Sequence, residues 1–373
     1  MKLYGRAFVR GAIEPDTLVT IRGGTLEIEQ VAHPPAQAQN IAGIIAPGFI
    51  DIHVHGGDGA DFMDANERAN ERILRFHARH GTTAVAATTL SASPADLQAA
   101  VAAIARTPDE GAEICAIHLE GPYINRDQAG AQDTSSIRPP DLQEVAALLA
   151  LAPQMKWLMT IAPEIAGAHA LIERYRSEIT FSIGHTNASS AETVAALAWG
   201  ASHFTHLFNA MSGLHHREPG VAGAALTSAN ATAELIADGI HVHPAILKLA
   251  AQAMPQRIAL VTDAMRACGL ADGTYKLYRH DVTVGGGSAR LGDGTLAGSL
   301  LTMERAVQCM VEQAGLPLEA VLPLATEVPA RILGIADRKG KLAAGYDADV
   351  VVLTPDFEVE RVFVRGRERS VSP

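Results

Sequence analysis

The sequence has few residues of several kinds, and each shortage excludes a class of protein. Only three of its 373 residues are cysteines, Cys115, Cys268 and Cys309, and no CxxC pair occurs. Their number and spacing argue against a disulfide framework, so each is interpreted as a small core residue. No apolar run approaches transmembrane length, and the first residues, MKLYGRAFVRG, contain no signal-peptide core. We therefore expect a reduced, soluble, cytoplasmic protein.

Positive charge is also scarce. The chain has 30 Lys and Arg against 41 Asp and Glu, which gives a formal net charge of −11. An acidic surface repels nucleic acid and anionic membranes, so neither is expected as a partner, whereas an anionic small molecule needs only a local basic pocket. The hydrophobic fraction of 48% indicates a large core, in one domain with an appendage or in two domains.

Eight short apolar runs recur along the chain, with helical segments between several of them. The runs begin at Ile44, Thr82, Glu113, Lys156, Ile179, His203, Thr232 and Arg257. Intervening segments such as PADLQAAVAAIAR and PDLQEVAALLALA have the apolar spacing of helices. Alternating strands and helices form parallel β/α units, and eight units are typical of a (β/α)8 TIM-like barrel. A doubly wound open sheet is the alternative, but it gives no reason for eight repeats.

The two ends of the chain have a different pattern. MKLYGRAFVRG, TLVTIRGGTLEIEQ and ADVVVLTPDFEVERVFVRGRE are typical of strands joined by turns. We expect residues 1–46 and 345–373 to form one small β-sandwich-like domain beside a barrel of residues 47–344. A glycine-rich stretch near 273–297 lacks the Gly-Lys-Ser/Thr of a phosphate loop, so it is interpreted as a hairpin inserted in the barrel.

Polar side chains follow the predicted strands at the point where each strand ends. In a (β/α)8 barrel the carboxyl ends of the strands form the active-site face, whereas unrelated polar residues would be scattered. The residues concerned are His53, His55, Glu120, Glu164, His185, His206, His241 and Asp263. Their common position predicts a catalytic site at this face.

Three of these residues suit a metal centre. Glu120, His185 and His206 offer one carboxylate and two imidazoles, which can bind Zn²⁺ or a similar ion and leave a position open for water. Such an ion lowers the pKa of its bound water to roughly 7. The carboxylate of Asp263, at the end of the eighth run, could accept that proton and later return it to a leaving group. Each residue alone is compatible with a structural role, and only the combination favours catalysis.

Two further histidines, His53 and His55, lie one residue apart on the first predicted strand. Alternate residues of a strand face the same way, so the pair suits a second ion, although buried structural histidines are the alternative. His118 shares the strand face of Glu120 and is expected to hydrogen-bond a ligand. Lys156 opens its strand rather than ending it, so Glu120 is a better candidate for a shared ligand than a carboxylated lysine.

An anion site is expected beside these residues. Arg217, in NAMSGLHHREPG, could form paired hydrogen bonds to a phosphate or carboxylate, or it could be a solvated loop arginine. His241 ends the seventh run, on the predicted active face. Arg217 and His241 together would form the positive pocket that an acidic chain otherwise lacks.

Several of these segments resemble one known family. PGFIDIHVHGGDGADFMD, HLEGPYIN, SIGHTNA, THLFNAM with REPG, IADGIHV, LVTDAM and LAGSLLTM are similar to segments of the N-acetylglucosamine-6-phosphate deacetylases, members of the amidohydrolase superfamily. The likeness runs in order from about Pro47 to about Thr302, and the later GKLAAGYDADVVVL also fits. The HxH pair alone marks only the superfamily, whereas HLEGP, THLFNAM with REPG, and LAGS together are specific to this family.

The resemblance implies roles for individual residues, a divalent metal cofactor and a homodimer. The implied metal ligands are Glu120, His185 and His206 for the principal ion and His53 and His55 for a second one. Asp263 is the implied catalytic acid and base. The implied sugar-phosphate site comprises Asn209, Ala210, Arg217, the segment 238–241 with His241, and Leu296, Ala297 and Gly298. The phosphate-binding arginine comes from either subunit of the dimer. One or two ions bind per subunit, and Zn is the first choice of metal, ahead of Fe, Co or Mn.

One departure from the family pattern follows HLEGP. Family members usually carry Gly-Ala-His or Gly-Thr-His, whereas this chain has Gly130, Ala131 and Gln132. The family histidine is expected near the scissile carbonyl, so Ala131 and Gln132 are predicted to bind substrate. A glutamine amide donates a hydrogen bond without charge, which would cost about 1–3 kcal/mol of transition-state stabilisation. A second metal that polarises the carbonyl, or a different sugar, would each account for the change.

The expected function is metal-dependent removal of the acetyl group from N-acetyl-D-glucosamine 6-phosphate in amino-sugar catabolism. Another N-acyl amino sugar, such as the galactosamine epimer or an unphosphorylated sugar, is the first alternative. A non-catalytic barrel that serves as a scaffold is the second, although every predicted ligand and the aspartate are present. A nucleobase deaminase also uses HxH in a barrel, but it gives Arg217 and His241 no role.

Overall fold

Strands and helices alternate along the chain, and the computed structural model describes residues 1–108 and 110–372. Its strands are β1 Lys2–Val9, β2 Ala12–Arg22, β3 Thr25–Gln30, β4 Gln39–Pro47, β5 Phe49–Val54, β6 Gly56–Gly57, β7 Ala60–Asp61, β8 Thr82–Thr89, β9 Glu113–Glu120, β10 Lys156–Ile161, β11 Ile179–Ile183, β12 His203–Phe204, β13 Thr232–Ile236, β14 Ile258–Val261, β15 Gly273–Leu277, β16 His280–Gly285, β17 Ser288–Arg290, β18 Val350–Leu353, β19 Val359–Val364 and β20 Arg367–Arg369. Its α-helices are α1 Glu67–Arg79, α2 Pro94–Arg106, α3 Leu142–Leu151, α4 Ala168–Tyr175, α5 Ser190–Trp199, α6 Gly220–Thr227, α7 Pro244–Ala253, α8 Met303–Glu312, α9 Leu318–Ala325 and α10 Glu327–Ile332.

The eight predicted runs form one parallel sheet that is rolled into a barrel. Its order is β5-β8-β9-β10-β11-β12-β13-β14. Between β14 and β5, the N–H of Asp263 donates to His53 O at 2.8 Å, and Val54 forms a parallel bridge with Ala264. Strands β8 and β9 are buried along their whole length, as expected where helices cover the outside of a barrel. The prediction of a (β/α)8 barrel is confirmed, and the open-sheet alternative is wrong.

Several helices begin at residues that satisfy their first backbone N–H groups. Ser93 precedes α2 and accepts a hydrogen bond from Asp96 N at 3.2 Å, with Pro94 in the first turn. Ser189 and Glu192 form a capping box at the start of α5. The two segments predicted to be helical from their apolar spacing correspond to α2 and α3.

Strands from both ends of the chain form a separate seven-stranded sheet of order β20-β19-β18-β4-β1-β2-β3. Alternate residues face opposite sides: Ile45 belongs to a core within this sheet, whereas the next residue, Ala46, belongs to the barrel core. Gly48 alone separates β4 from β5, and a Cβ there would lie 2.2 Å from Thr83 Cγ2. The sheet of terminal strands is therefore present as predicted, while the proposed boundary residues stay a prediction.

The glycine-rich insertion is a three-stranded antiparallel sheet, β15-β16-β17, rather than a single hairpin. Its apolar residues Leu277, Val282 and Ala289 share a buried cluster with Leu90 and Met265 of the barrel. Leu90 follows β8 and Met265 follows β14, so the inserted sheet covers part of the barrel mouth.

The predicted core role of the cysteines agrees with their burial. Cys115, Cys268 and Cys309 are buried and unpaired. Burial raises the pKa of the Cys309 thiol to about 11, so that group stays protonated at neutral pH. In the part of the chain that the structure describes, no helix combines the length and apolar character needed to cross a bilayer.

A buried lysine joins the barrel to the terminal sheet. Lys339 is 2% exposed, and its Nζ lies 2.8 Å from Glu113 Oε2 at the start of β9, 2.5 Å from Asp349 Oδ2 and 3.1 Å from Asp347 Oδ2. Arg338 also pairs with Glu113, at 2.7 Å. Burial raises the pKa of Glu113, but the hydrogen bonds and charges of Arg338 and Lys339 lower it to about 2. These groups hold the two parts of the molecule together as ions.

Replacing this lysine is expected to destabilise the fold. Lys339→Met removes the ammonium partner of the buried Asp349 and leaves Glu113 with Arg338 only, which should lower the free energy of unfolding by about 3–5 kcal/mol. Lys341→Met is the matched control, because that side chain is 46% exposed and pairs with Glu327 at 3.3 Å. Its loss should cost about 0–1 kcal/mol. Urea unfolding of both variants checks the prediction, and similar small losses would contradict it.

Candidate active site

A cavity of about 470 Å³ opens at the carboxyl ends of the barrel strands. Its buried end is lined by Glu120, His185 and His206 together with His55 and Asp263. Seven of the predicted substrate-binding residues also line it: Ala131, Gln132, Asn209, Ala210, His241, Leu296 and Gly298. Most of the predicted metal and substrate residues thus border one continuous space, whose size is typical of a small-molecule site, whereas the predicted ligand His53 is fully buried behind it.

Ala297, a predicted substrate-binding residue, does not line this cavity. It is fully buried in the cluster beneath the inserted sheet, and its N–H donates to Ala289 O at 3.0 Å. The backbone pairing with β17 turns Ala297 inward, so its neighbours Leu296 and Gly298 face the cavity instead.

Arg217 lies outside the cavity of its own chain. It belongs to an exposed loop, where its Nη1 lies 2.7 Å from His216 Nε2. His241 does line the cavity, with its Nδ1 held 2.6 Å from Asp238 Oδ2. The predicted positive pocket of Arg217 and His241 is therefore not formed within the described chain.

Glu120 connects the two predicted groups of metal ligands. It ends β9, and its Oε1 lies 3.1 Å from His185 Nε2 and 3.0 Å from His206 Nε2, two nitrogens that are 3.0 Å apart. The same Oε1 lies 3.3 Å from His53 Nε2, and Oε2 lies 3.2 Å from His55 Nε2. One buried carboxylate therefore faces four imidazoles.

Asp263 lies beside these ligands and borders the same cavity. Its Oδ1 lies 3.2 Å from His55 Nε2 and 3.7 Å from His53 Nε2. The Asp263 side chain is 12% exposed, whereas that of His53 is fully buried. Asp263 can therefore touch both a molecule in the cavity and the imidazoles behind it.

Three of these residues have left-handed backbone conformations. The φ angles are 48° at His185, 27° at His206 and 49° at Asp263, and each residue lies two positions after the end of its strand. Non-glycine residues in this region cost about 1–3 kcal/mol each and cluster at functional sites. The turn at each strand end directs the three side chains to one point, which favours a functional reason for the strain.

The outer nitrogens of two histidines determine which ring atom faces the centre. His185 Nδ1 lies 2.7 Å from Gln128 O, and His53 Nδ1 lies 2.8 Å from Glu234 Oε2. Both partners only accept hydrogen bonds, so each Nδ1 carries a proton and each Nε2 is available as a ligand. Nε2 atoms that converge on one another and on a carboxylate fit a bound cation, with the outer partners orienting the rings.

The charges of the centre agree with a cation site. Burial lowers the pKa of His55, but Asp263 and Glu120 outweigh it and raise that pKa to about 9. Burial raises the pKa of Glu120, whereas His53 and His185 lower it well below its usual range. The carboxylates are thus ionised and attract positive charge. A donor set of imidazole nitrogens and carboxylate oxygens suits Zn, Fe, Co and Mn.

Gln132 uses both ends of its amide inside the protein. Its Oε1 accepts a hydrogen bond from Ser91 N at 2.6 Å, and its Nε2 donates to Glu120 Oε2 at 2.5 Å. The residue also lines the cavity, as predicted for a substrate contact. The support that it gives to the shared carboxylate was not predicted, and it needs no charge on residue 132.

The predicted hydrogen bond from His118 to a metal ligand is not made. His118 Nε2 lies 2.8 Å from Thr160 Oγ1, and Nδ1 lies 3.2 Å from Ile52 O. Burial lowers the pKa of His118 to about 3, so the ring is neutral. It packs edge-on against the ring of His53, with the centroids 4.6 Å apart, and so supports a ligand by contact.

Sequence reasoning missed Glu234, a fully buried carboxylate in the middle of β13. Its Oε2 lies 2.8 Å from His53 Nδ1 and accepts a hydrogen bond from His206 N at 3.0 Å. Its Oε1 lies 3.3 Å from His203 Nε2. Glu234 thus orients one ligand from each group, and the signal for it is an acidic residue inside the apolar run TAELIADGIHV.

Arg290 was also missed. It ends β17 of the inserted sheet and borders the same cavity as His241. The signal in the sequence is a single arginine within GGGSARLGDG, a stretch interpreted as part of an inserted hairpin.

The amidohydrolase family model matches residues 44–369, which is most of the chain. The chain belongs to the amidohydrolase family. The family is metal-dependent, and its match together with the names of the relatives below shows a hydrolase that acts on an amide. In keeping with this, the described part of this amidohydrolase contains three buried groups of histidines and acidic residues that could hold a metal ion.

Relatives of this amidohydrolase carry closely related names. It is 42% identical over 337 residues to an N-acetylglucosamine-6-phosphate deacetylase of Bacillus subtilis, with 88% of this chain and 85% of the relative covered. It is 36% identical to an N-acetylgalactosamine-6-phosphate deacetylase of Escherichia coli O157:H7, with 90% of each covered. A solved structure of an N-acetyl-D-glucosamine-6-phosphate deacetylase variant from Mycobacterium smegmatis, in complex with N-acetyl-D-glucosamine 6-phosphate, superposes with a TM-score of 0.93 at 36% identity and covers 100% of this chain and 99% of that one.

Proposed function

We propose that this amidohydrolase converts N-acetyl-D-glucosamine 6-phosphate and water into D-glucosamine 6-phosphate and acetate. The observation that carries the proposal is one cavity that joins a buried histidine–carboxylate centre to a mouth bearing His241 and Arg290. If the acetamido group occupies the buried end, the phosphate lies near these two basic side chains. The names of the B. subtilis and M. smegmatis relatives support this substrate.

Asp263 is the residue that moves protons in the proposed reaction. His53 and His55 lower the pKa of its carboxyl against the effect of burial, so it is ionised and able to act as a base. It takes a proton from the water whose oxygen attacks the acetyl carbon. It then gives that proton to the departing amine as the C–N bond breaks, which leaves acetate.

The proposed ligands of the principal ion are Glu120, His185 and His206. His53 and His55 are the proposed ligands of a second ion. A divalent ion supplies Lewis acidity, which polarises an amide carbonyl and lowers the pKa of water. Zinc is proposed first, with Fe, Co or Mn as alternatives, and metal analysis of protein purified without added metal checks this choice. The proposed location is the cytoplasm, which fractionation of the cells would check.

A homodimer is the proposed assembly. Large apolar residues are exposed on the loop that carries Arg217 and on the neighbouring turn and helix α7: Leu214, Ile240, Ile246 and Leu249. Exposed apolar side chains of this size suit burial against a second copy, which would also bring Arg217 towards the partner's cavity. Light scattering in solution tests the assembly, and a monomeric mass would refute it.

The galactosamine epimer is a second candidate substrate, because the E. coli relative at 36% identity is named for it. The two sugars differ only in the configuration at C4. Gln132 does not by itself favour the epimer, since its amide is engaged by Ser91 and Glu120.

The deciding experiment is acetate release by metal-replete protein from three sugars. These are N-acetylglucosamine 6-phosphate, N-acetylgalactosamine 6-phosphate and unphosphorylated N-acetylglucosamine. We expect the largest kcat/KM for the first. A larger value for the second would assign the enzyme to the epimer, and no release from any of them with metal verified in the protein would refute the proposed reaction.

A further inference from the structure

The inserted sheet places a guanidinium at the cavity mouth. Arg290 ends β17, and the chain turns back through a hydrogen bond from Leu291 N to Thr295 O at 2.9 Å and a bridge between Arg290 and Leu296. Thr295 and Leu296 line the same cavity as Arg290. This short turn therefore fixes Arg290 beside the proposed sugar site, although its side chain is exposed to solvent.

Two hydrogen bonds from different nitrogens hold the guanidinium in place. Nη1 donates to Gly294 O at 2.9 Å, and Nε donates to Ser288 Oγ at 3.2 Å. Nη2 donates to no group in residues 1–108 and 110–372, so its two N–H groups are available to a ligand. A tethered arginine with free donors loses less side-chain entropy when it binds a phosphate.

The other charged groups of the cavity provide little net positive charge for a phosphate. Outside the histidine–carboxylate centre, the charged or titratable residues among the described lining are Asp127, His241 and Arg290. Burial lowers the pKa of His241, but its Nδ1 is held 2.6 Å from Asp238 Oδ2, and this contact raises the pKa against that effect. Asp238 offsets the charge of His241, whereas Arg290 forms no ion pair with a carboxylate of the described chain.

We infer that Arg290 contacts the 6-phosphate of the substrate within its own chain and sets the preference for phosphorylated amino sugars. The inference rests on the proposed function and refines it. Arg217 does not line this cavity in its own chain. Among the described lining residues, the arginine is Arg290. His241 and Arg290 bind the phosphate oxygens from two positions at the mouth, while the acetamido group lies at the buried end.

Arg290→Met tests the inference, because it removes the guanidinium and keeps an unbranched side chain. Calorimetry measures binding of D-glucosamine 6-phosphate and D-glucosamine, and acetate release gives kcat and KM for the N-acetylated pair. We expect affinity and kcat/KM for the phosphorylated sugars to fall about 10- to 100-fold, mainly through KM, with the unphosphorylated sugars unaffected. Arg290→Lys should restore part of the preference for phosphorylated sugars, since an ammonium keeps the positive charge but cannot form the paired hydrogen bonds of a guanidinium.

Arg279→Met is the matched control on the same inserted sheet. Arg279 is 58% exposed, lies 3.8 Å and 3.7 Å from carboxylates of Asp96 and Asp133, and does not line the cavity, so its loss should leave both sugars unaffected. Unchanged binding of D-glucosamine 6-phosphate by Arg290→Met, or an equal loss for both sugars, would overturn the inference. A wild-type protein that bound both sugars equally would refute the phosphate-specific function itself, so the two failures are distinguishable.

Discussion

Asp263→Asn is expected to lower kcat by about 10²- to 10⁴-fold, the range for losing a general acid and base. The amide keeps the shape of the side chain but cannot take a proton from water or return one to the amine. Asp263 Oδ1 is 3.2 Å from His55 Nε2, so metal content must be measured beside the kinetics to separate loss of the base from loss of an ion. KM should change less than kcat, because the proposed phosphate contacts, His241 and Arg290, lie elsewhere in the cavity.

Asp127→Asn is the control for this variant. Asp127 lines the same cavity but has no contact with the histidine–carboxylate centre among the described hydrogen bonds and ion pairs. Its substitution should therefore have a small effect on kcat. A metal-replete Asp263→Asn enzyme with a near wild-type rate would remove Asp263 from the mechanism.

Glu120→Gln is expected to empty both proposed ion positions, with a loss of metal affinity greater than about 100-fold, the upper range for changing a supporting residue. The reason is that the Glu120 carboxylate faces the Nε2 atoms of both histidine pairs, through Oε1 at 3.0–3.3 Å and Oε2 at 3.2 Å. An amide there carries no charge and turns N–H donors towards imidazole nitrogens. Metal content per subunit after dialysis measures the effect, and hydrolysis should be lost with the metal.

His55→Gln separates the two positions. His55 contacts Oε2 of Glu120 and Asp263 and belongs only to the second group, so this variant should keep the ion held by His185 and His206. Retention of both ions by Glu120→Gln, or loss of both by His55→Gln, would show that the carboxylate is not the shared ligand.

The barrel and the position of its active face could be predicted because both follow from local pattern. Each strand is a contiguous apolar run, and a polar residue such as His185 or Asp263 follows directly in sequence. Parallel strands in a closed sheet bring those following residues together without further information. The roles of the individual residues remain predictions that the variants above test.

Glu234 and Arg290 could not be found in this way, because their roles depend on contacts that sequence spacing does not encode. Glu234 meets His53 across 181 positions of the chain. Arg290 reaches the cavity only because the inserted sheet packs on Leu90 and Met265. Arg217 lies outside the cavity of its own chain, and only the proposed second subunit would give it a binding role, which no pattern in one chain encodes.

One neighbour of strand β4 is synthesised at the beginning of translation and the other near its end. On one side it pairs with β1, and on the other its Ile44 pairs with Leu353. A ribosome that adds about 5–20 residues per second needs roughly 15–60 s for the roughly 300 residues between them. Throughout that time β4 offers an open apolar edge to other nascent chains. All eight barrel strands are synthesised before β18 can cover this edge. We therefore expect aggregation of the growing chain, more than the stability of the finished enzyme, to limit the yield at high expression.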